Sequence, residues 1–445
     1  NPSYCYIHPH FKDHMDQKHS NAPVMVVISL FFMWGFITVL VDSLIPRLRE
    51  VFELSYFQAG AVQIAFFSAY LLVSIPAGFL LARIGYKRGM LIGLATMGIG
   101  CLLFWPAAST RAYPYFMLAI FTLAAGMTVL QVAANPYVAV LGSEEGASSR
   151  LNLAQAFNSV GTTIAPIIGA NYLLSDHILD GKAIEALSST DRAAYMVQEA
   201  SAVQGPFVVL AGALLLLAVL VGAVHLPRIL DGETFGSYAA TFRKGRLIRG
   251  AVGIFLYVGA EVAIGSYLVN YFLSMDLADV VRADSTMGWI ADLLGKDVTG
   301  MDAKGVVGVF VALYWGGAMI GRFVGSFLTR IYRPALVLMI FGLLAITMIL
   351  ISISTTGFVS MWSILAVGLF TSIMFPTIFT LAIEGLGPLK PQGSGILCTA
   401  IFGGAVIPPL LGLLADGFGF KVAFLLVISC YFYVTYYAWN ERRAT

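Results

Sequence analysis

Two carboxylates stand inside apolar runs of this 445-residue sequence. Asp42 lies in WGFITVLVDSLIPRL (34–48), and Glu261 lies in YVGAEVAIGSYLVNYF (257–272). An acid in hydrocarbon costs about 2.5–3.5 kcal/mol on insertion scales, so it normally faces a bundle interior or water. Such a group can carry a proton or bind a hard cation. Asp42 is the first candidate for a coupling-ion site, and Glu261 is the second.

Both acids also have a plainer interpretation. Asp42 could be a helix-end acid paired with Arg47 or Arg49, and Glu261 could snorkel from a helix end. The segment Ser43-Leu44-Ile45-Pro46 continues for about another turn, which leaves Asp42 short of the loop and favours an interior position. Proton carriage and Na⁺ ligation both fit a buried aspartate, and the sequence does not separate them.

Amide side chains form a second set of candidates. GMTVLQVAANPYVAVLG (126–142) places Gln131 and Asn135 on one helix face, beside Pro136, which removes a backbone hydrogen bond. Amides donate and accept, so they suit a hydroxyl-rich ligand, although they can also join helices. RLNLAQAFNSVGTTIAP (150–166) repeats the idea as a polar stripe of Asn152, Gln155, Asn158 and Ser159.

Other residues add to a predicted ligand site. Tyr267 and Asn270 follow Glu261 along the same run. Aromatic side chains can face a sugar ring, although packing explains each of them singly at least as well: Trp34, Tyr257, Trp315 and Phe375. Glu384 ends its run beside Gly-Leu-Gly-Pro, which favours an interfacial position. Nothing resembles a phosphate-binding loop, a zinc cluster or a nucleophile–histidine pair, so we expect neither an enzyme nor a bound cofactor or metal.

Composition defines the elements that must position these groups. The chain is 59% hydrophobic and 11% charged, which gives too few charged residues to cover a soluble surface. We therefore expect an all-α polytopic protein in a lipid bilayer, and a net charge of +2 gives no reason to expect a nucleic acid partner. The apolar runs predict twelve spans in two groups of six, near 23–46, 57–82, 88–108, 114–141, 150–174, 205–225, 248–274, 304–329, 334–353, 358–384, 393–415 and 420–439.

These runs predict two pseudo-symmetric domains, 23–225 and 248–440, joined by a cytoplasmic linker at 226–247. Residues 1–22 are polar and His-rich and are expected to be a disordered or expression-derived tail, and 441–445 a short C-terminal tail. The cysteines show no paired or metal-like spacing, and three of the four lie in apolar runs.

The two groups repeat each other in sequence. GFLLARIGYKR (78–88) aligns with GSFLTRIYRPA (325–335), GTTIAPIIG (161–169) with GAVIPPLLG (404–412), and NPYVAVL (135–141) with FPTIFTL (375–381). Parallel repeats of this kind are typical of transporters that rock two halves about a midplane site. The first pair predicts a gating latch made of Gly78, Arg83, Gly85, Lys87, Arg88 and Arg330.

Charge placement predicts the orientation. Most of the 26 Lys and Arg residues fall on one predicted side, including those of the segment 243–249 and the group Arg322, Arg330 and Arg333. Positive residues favour the cytoplasm, and an even number of spans puts both termini on the same side. We therefore expect both termini inside, in a bacterial inner membrane.

Several segments together resemble the fucose–galactose–glucose symporter family of the major facilitator superfamily. The resemblance covers nearly the whole chain after the tail and is carried by FFMWGFITVLVDSLIP, FQAGAVQIAFFSAYLLVSIPAG, LQVAANPYVAVLG, RLNLAQAFNSVGT and YVGAEVAIGSYLVNY. It implies cation-driven sugar import by alternating access, with Asp42 in proton coupling and Gln155 and Asn158 as sugar ligands.

Two departures accompany the resemblance. Fucose-type members carry Glu where this chain has Gln131, and relatives commonly carry Asn where it has Val41. The stretch around Glu261 instead resembles the glucose/galactose-type members, some of which use Na⁺. We therefore expect a monomeric symporter of a neutral hexose, coupled to H⁺ or Na⁺. The alternatives are a drug or metabolite/proton antiporter and a non-transporting sugar receptor.

Overall fold

The computed structural model describes residues 22–51, 56–110, 112–172, 187–227, 237–296, 298 and 300–444. Side chains are described over the same ranges except at 22–24, 41–51, 56–61, 167–172, 444 and part of 189–203.

Every regular secondary-structure element among the described residues is a helix. Six long helices form the first group: α1 (Ala22–Val51), α2 (Tyr56–Ile84), α3 (Tyr86–Thr110), α4 (Tyr113–Val140), α5 (Ala147–Tyr172) and α6 (Ser189–Ala223). A short helix α7 (Tyr238–Phe242) follows in the connecting segment. The second group comprises α8 (Gly245–Leu273), α9 (Leu277–Ala283), α10 (Ser285–Leu293), α11 (Ala303–Ile331), α12 (Pro334–Ser354), α13 (Gly357–Thr371), α14 (Met374–Ile383), α15 (Lys390–Thr399), α16 (Gly403–Phe418) and α17 (Phe420–Ala444).

Ten helical segments among the described residues are long and apolar enough to cross a membrane. The pairs α13–α14 and α15–α16 each make one of these spans. Two helices of the predicted twelve are outside this set. In α1 the described apolar part is limited to Met25–Leu40, and α5 carries the predicted polar stripe. The all-α polytopic fold is confirmed, and ten of the twelve predicted spans meet this criterion among the described residues.

The sixth helix is the main difference in span boundaries. It begins at Ser189, well before the apolar run that was used to predict it. Ser188 caps it, because its Oγ accepts from the Asp191 backbone N–H at 3.1 Å and donates to the Asp191 carboxylate at 2.7 Å. An apolar run marks only the part of a helix that contacts lipid, so this polar first section escaped the pattern.

Two spans of the second group are interrupted. The break at 372–373 separates α13 from α14, and a 3₁₀ turn at Ala400–Phe402 separates α15 from α16. Pro376 explains the first break, because a proline has no N–H to donate to the carbonyl four residues earlier, at Ser372. Irregular backbone at membrane depth is tolerated where protein or a cavity surrounds it.

The internal repeat is visible in how helices approach each other. In the first group, α1 meets α5 where a Cβ on Gly35 would meet the Asn158 backbone and one on Gly161 would meet the Phe32 carbonyl. In the second group, a Cβ on Gly403 of α16 would likewise meet the Phe255 carbonyl of α8. Glycine therefore permits the same first-to-fifth helix contact in both halves.

Two seams join the halves. Successive spans alternate in direction, so α2, α4, α6, α11 and α14 all end on the face that carries the connecting segment, which we call the linker face. The polar seam joins α5 to α11 and α14 through hydroxyl and amide side chains. The glycine seam joins α2 and α4 to α15, where Gly78 and Gly395 bring the backbones together. Among the described residues, the hydrogen bonds of these two seams join the halves on the linker-face side, so that face is closed.

Candidate functional site

A cavity of about 230 Å³ lies between the two halves. Pockets for drug-sized ligands measure about 300–1,000 Å³, so this one fits a smaller molecule. Its lining combines polar groups with aromatic rings from both halves: Trp34, Gly35, Thr38, Phe66, Tyr70, Gln131, Gln155, Asn158, Thr162, Tyr257, Val258, Glu261, Arg322, Phe375, Pro376 and Ile401.

The fourth span contributes an amide held by a phenol. Gln131 is 2% exposed, and its Nε2 donates to the hydroxyl of Tyr70 on α2. Its Oε1 has no hydrogen-bond partner among the described residues. A buried acceptor of this kind costs free energy until a donor arrives, so Gln131 offers an oxygen to a ligand.

The fifth span contributes two amides with different engagements. Gln155 Nε2 is buried and lacks a partner within the described part of the chain, so it offers a donor to the cavity. Asn158 Nδ2 donates to the Phe31 carbonyl at 2.9 Å and thereby ties α5 to α1. Asn158 thus combines helix packing with a place in the cavity wall.

The second half contributes an ion pair. Arg322 Nη2 lies 3.9 Å from Glu261 Oε1, with the two side chains 15% and 13% exposed. Arg322 also donates to Ser159 Oγ of α5, and its Nε donates to the Ser372 carbonyl at 3.3 Å. That carbonyl is the one left without a helical donor by Pro376, so the helix break creates the acceptor that holds the guanidinium.

This position of Arg322 corrects the sequence assignment. The charge pattern counted Arg322 with Arg330 and Arg333 on the positively charged side, whereas Arg322 lines the central cavity. The residue lies nine positions before α11 ends at Ile331, about 13 Å along the helix axis. A cation near the end of an apolar run resembles a loop residue. The opposing acid, Glu261, was the available signal that it pairs inside.

Three predicted ligand residues lie away from the cavity lining. Asn135 is fully buried and contacts the side chain of Cys398 on α15. Tyr267 packs its ring against Phe420, with the centroids 6.2 Å apart. Asn270 is exposed, and it lies about 13 Å beyond Glu261 along α8. Asp42 belongs to α1, but its side chain falls outside the described residues.

The cavity also contains residues that the sequence did not single out. Tyr70, Phe66, Thr38 and Thr162 line it together with Arg322. Tyr70 sits in an apolar run where a tyrosine looks like packing, and only its contact with Gln131 distinguishes it. Of the aromatic candidates, Trp34, Tyr257 and Phe375 line the cavity, whereas Trp315 is 43% exposed and outside it.

The predicted latch residues occupy different surroundings. Gly78 lies in the glycine seam, and Gly85 turns the chain with φ +82°. Lys87 donates to the carbonyls of Gly222 and Val224 at 2.8 and 2.9 Å, so it holds the end of α6 within the same half. The guanidinium of Arg83 stacks on Phe79, Arg88 is exposed, and Arg330 lines a second cavity on the linker face.

That second cavity measures about 490 Å³ and lies beyond the polar seam. Ser148 and Thr380 line it, while Gln155 and Pro376 line the central cavity about one to two turns away on the same helices. The intervening layer is the hydrogen bond from Asn152 Nδ2 to Thr377 Oγ1, at 3.2 Å. The barrier between the central cavity and the linker face is therefore only a few side-chain layers thick.

Known proteins match this chain over almost its whole length. Residues 24–401 match the family model of the Major Facilitator Superfamily. A glucose/galactose transporter of Brucella abortus biovar 1 (strain 9-941) is 45% identical, covering 95% of this chain and 94% of that protein. The L-fucose-proton symporter of Escherichia coli (strain K12) is 34% identical, covering 92% and 90%. The crystal structure of FucP, a major facilitator transporter in the outward conformation, matches with a TM-score of 0.84 and 32% identity, covering 94% and 98%.

The all-α polytopic fold, the cavity between its halves and these matches agree on the class of protein. The chain belongs to the major facilitator superfamily and, within it, to the fucose–galactose–glucose symporter family, as its motifs predicted.

Proposed function

We propose that this protein imports a neutral hexose, glucose, galactose or a close derivative, by symport with H⁺ or Na⁺ through alternating access. The observation that carries the proposal is the set of unpaired polar atoms in the central cavity, counted among the described residues. Gln131 Oε1 and Glu261 Oε1 are acceptors, and Gln155 Nε2 is a donor. A sugar presents hydroxyls that donate and accept at once, so one ring can satisfy all three atoms.

Aromatic faces support the same ligand class. Trp34, Phe66, Tyr257 and Phe375 give the cavity apolar walls from both halves. A pyranose ring has apolar C–H faces and polar edges, which suits this mixture of aromatic walls and amide groups. The relatives named for glucose, galactose and L-fucose transport add to this support.

Asp42 is the proposed coupling-ion residue. It combines a carboxylate with a position in the first span, and the family resemblance assigns coupling to that aspartate. We propose that the protein works as a monomer in a bacterial inner membrane, with both termini cytoplasmic and no cofactor besides the coupling ion.

Uptake of a sugar panel into proteoliposomes under an imposed Na⁺ or H⁺ gradient tests the proposal. Glucose or galactose should accumulate against its gradient, and stimulation by Na⁺ at equal pH on both sides identifies the ion. Asp42→Asn should abolish accumulation while sparing sugar exchange. Normal accumulation by Asp42→Asn would remove the coupling role.

Two other functions make opposite predictions. For a drug or metabolite/proton antiporter, Gln155→Ala and Asn158→Ala should leave transport intact, because an apolar ligand does not need the amides. For a sugar receptor, labelled sugar should bind without counterflow into proteoliposomes. Counterflow that is lost in Gln155→Ala would exclude both.

A further inference from the structure

Arg322 contacts three different parts of the molecule. Its guanidinium lies 3.9 Å from the Glu261 carboxylate, donates to the Ser372 carbonyl at 3.3 Å and donates to Ser159 across the interface between the halves. Among the described residues that line the cavity, Arg322 is the one base and Glu261 the one acid.

Arg322 and Glu261 compensate each other's charge, and the carboxylate still has an oxygen that can accept a hydrogen bond. At 3.9 Å the two groups attract each other, but Glu261 Oε1 makes no hydrogen bond within the described part of the chain. A carboxylate beside a fixed guanidinium is already compensated, so it gains less from a cation or a proton than an isolated one. The Tyr257 side chain also lies against this carboxylate, and the lone pairs of Oε1 remain available to a further hydroxyl donor.

The contact with Ser159 extends the effect of Arg322 to the first half. Ser159 Oγ donates to the Gln155 carbonyl at 3.2 Å, one turn earlier on α5. Gln155 supplies the unpaired cavity donor. Arg322 therefore contacts Glu261 in its own half and the helical turn that carries Gln155 in the other half. In this way it connects the polar groups of the two halves.

We propose that Arg322 is a positioning residue that holds Glu261 in place as a sugar-hydroxyl acceptor, so that this pair recognises sugar and does not carry the coupling cation. The proposal rests on the hexose symport proposed above. It separates two tasks that the sequence left open for Glu261.

The test compares equilibrium exchange with gradient-driven accumulation in proteoliposomes, using the hexose that the wild-type protein transports. Glu261→Gln should raise the KM for exchange about tenfold or more, because a neutral amide is a weaker acceptor. At saturating sugar its accumulation ratio should equal that of the wild type. Exchange without accumulation in Glu261→Gln would overturn the proposal, since it would make Glu261 the cation carrier.

Arg322 variants test the positioning role. Arg322→Gln leaves a buried carboxylate uncompensated and should lose more exchange activity than the double variant Glu261→Gln/Arg322→Gln, which removes both charges. Arg322→Lys should restore part of the activity. A double variant that performs no better than Arg322→Gln would contradict charge compensation as the role of Arg322.

If Glu261→Gln does not fold, the double variant Glu261→Gln/Arg322→Gln replaces it in the accumulation test, because the double variant leaves no uncompensated charge buried. Accumulation at the wild-type ratio supports the proposal, and exchange without accumulation overturns it. Ser159→Ala is the control for the cross-half contact, and it should alter the exchange KM less than Glu261→Gln. Failure of the wild-type protein to exchange any hexose would instead refute the proposed function itself.

Discussion

The polar seam and the glycine seam close the same face of the molecule by different physical means. Side chains make the polar seam: Ser148 and Thr380 share a hydrogen bond at 2.6 Å, and Ser149 and Ser326 exchange bonds with each other's carbonyls at 2.7 and 2.9 Å. Backbone proximity makes the glycine seam, where a Cβ on Gly395 would lie 2.7 Å from the Ser74 carbonyl oxygen.

The difference bears on how each seam can open. Each hydroxyl bond contributes about 0.5–1.5 kcal/mol net, and water can replace it when the halves separate. The glycine contact depends on shape, so a single methyl group blocks it. We infer that the polar seam sets the balance between closed and open states in small steps, whereas the glycine seam permits or forbids the closed state.

The repeated prolines show how the duplication supplied both regions. Pro136 and Pro376 occupy aligned positions, and each lacks the N–H that would bond the carbonyl four residues before it. The Val132 carbonyl freed by Pro136 accepts from Ser394 of α15, across the glycine seam, at 2.8 Å. The Ser372 carbonyl freed by Pro376 instead accepts from Arg322 in the cavity. A carbonyl freed by a proline therefore joins the two halves in the first repeat, and in the second repeat it holds the guanidinium of Arg322 in the cavity.

The largest expected effect comes from filling the glycine seam. A Cβ on Gly78 would lie 2.6 Å from the Tyr238 hydroxyl and 2.7 Å from the Pro391 carbonyl oxygen. Gly78→Ala and Gly395→Ala should therefore disfavour the closed linker face by about 1–3 kcal/mol and lower uptake about tenfold or more.

Cys398 reports directly on this seam. It is fully buried on α15, so alkylation in a background without the other cysteines should be slow in the parent protein and faster in both glycine variants. Gly212→Ala is the matched control, because a Cβ there would meet nothing within 4 Å. Unchanged uptake and labelling in Gly78→Ala and Gly395→Ala would show that the seam does not need to close.

The second effect comes from the polar seam. Thr380→Val leaves the Ser148 hydroxyl without its partner and should destabilise the closed face by about 1 kcal/mol, or roughly fivefold in the equilibrium. Ser148→Ala should cost less, since Thr380 also donates to the carbonyls of Pro376 and Thr377. The labelling rate of Cys398 measures how far the closed face is destabilised in Thr380→Val, in Ser148→Ala and in the double variant. The double variant should cost less than the sum of the singles, and strict additivity would mean that the two hydroxyls do not interact.

The sequence predicted the elements better than the contacts between them. Apolar length and polar breaks gave the spans, and spacing gave Gln131, Gln155 and Asn158, because these signals lie within one helix. Arg322 and Tyr70 gain their roles from partners far along the chain, Glu261 and Gln131, so no local pattern marks them. Asn135 and Asn270 have the same amide side chains as the cavity residues. The rotation of the helix and the position along its axis place them outside the cavity lining.

A smaller effect is expected from the linker helix. The Tyr238 hydroxyl donates to the Ile75 carbonyl at 2.5 Å, so Tyr238→Phe should cost about 0.5–1 kcal/mol and accelerate labelling of Cys398 about two- to fivefold. Burial raises the pKa of Tyr238 above its ordinary value of about 10, so the hydroxyl keeps its proton up to that pH. The difference between wild type and variant should therefore stay constant from neutral pH to about pH 9. A difference that disappears on raising the pH would mean that the phenol ionises.

The smallest effect is expected at an ion pair between the halves whose acid is exposed to solvent. Lys390 Nζ lies 3.4 Å from Glu144 Oε1, and the lysine and glutamate side chains are 16% and 69% exposed. An ion pair with a solvent-exposed partner contributes about 0–1 kcal/mol and weakens with salt, so removing the charge of the exposed Glu144 in Glu144→Gln should change uptake by less than about twofold. Charge reversal by Lys390→Glu should have a modest effect at low salt, and the double reversal Glu144→Lys/Lys390→Glu should restore uptake. A loss of uptake in Glu144→Gln as large as that in Gly395→Ala would mean that surface charge controls the closed face. The different roles inferred for the polar seam and the glycine seam would then be wrong.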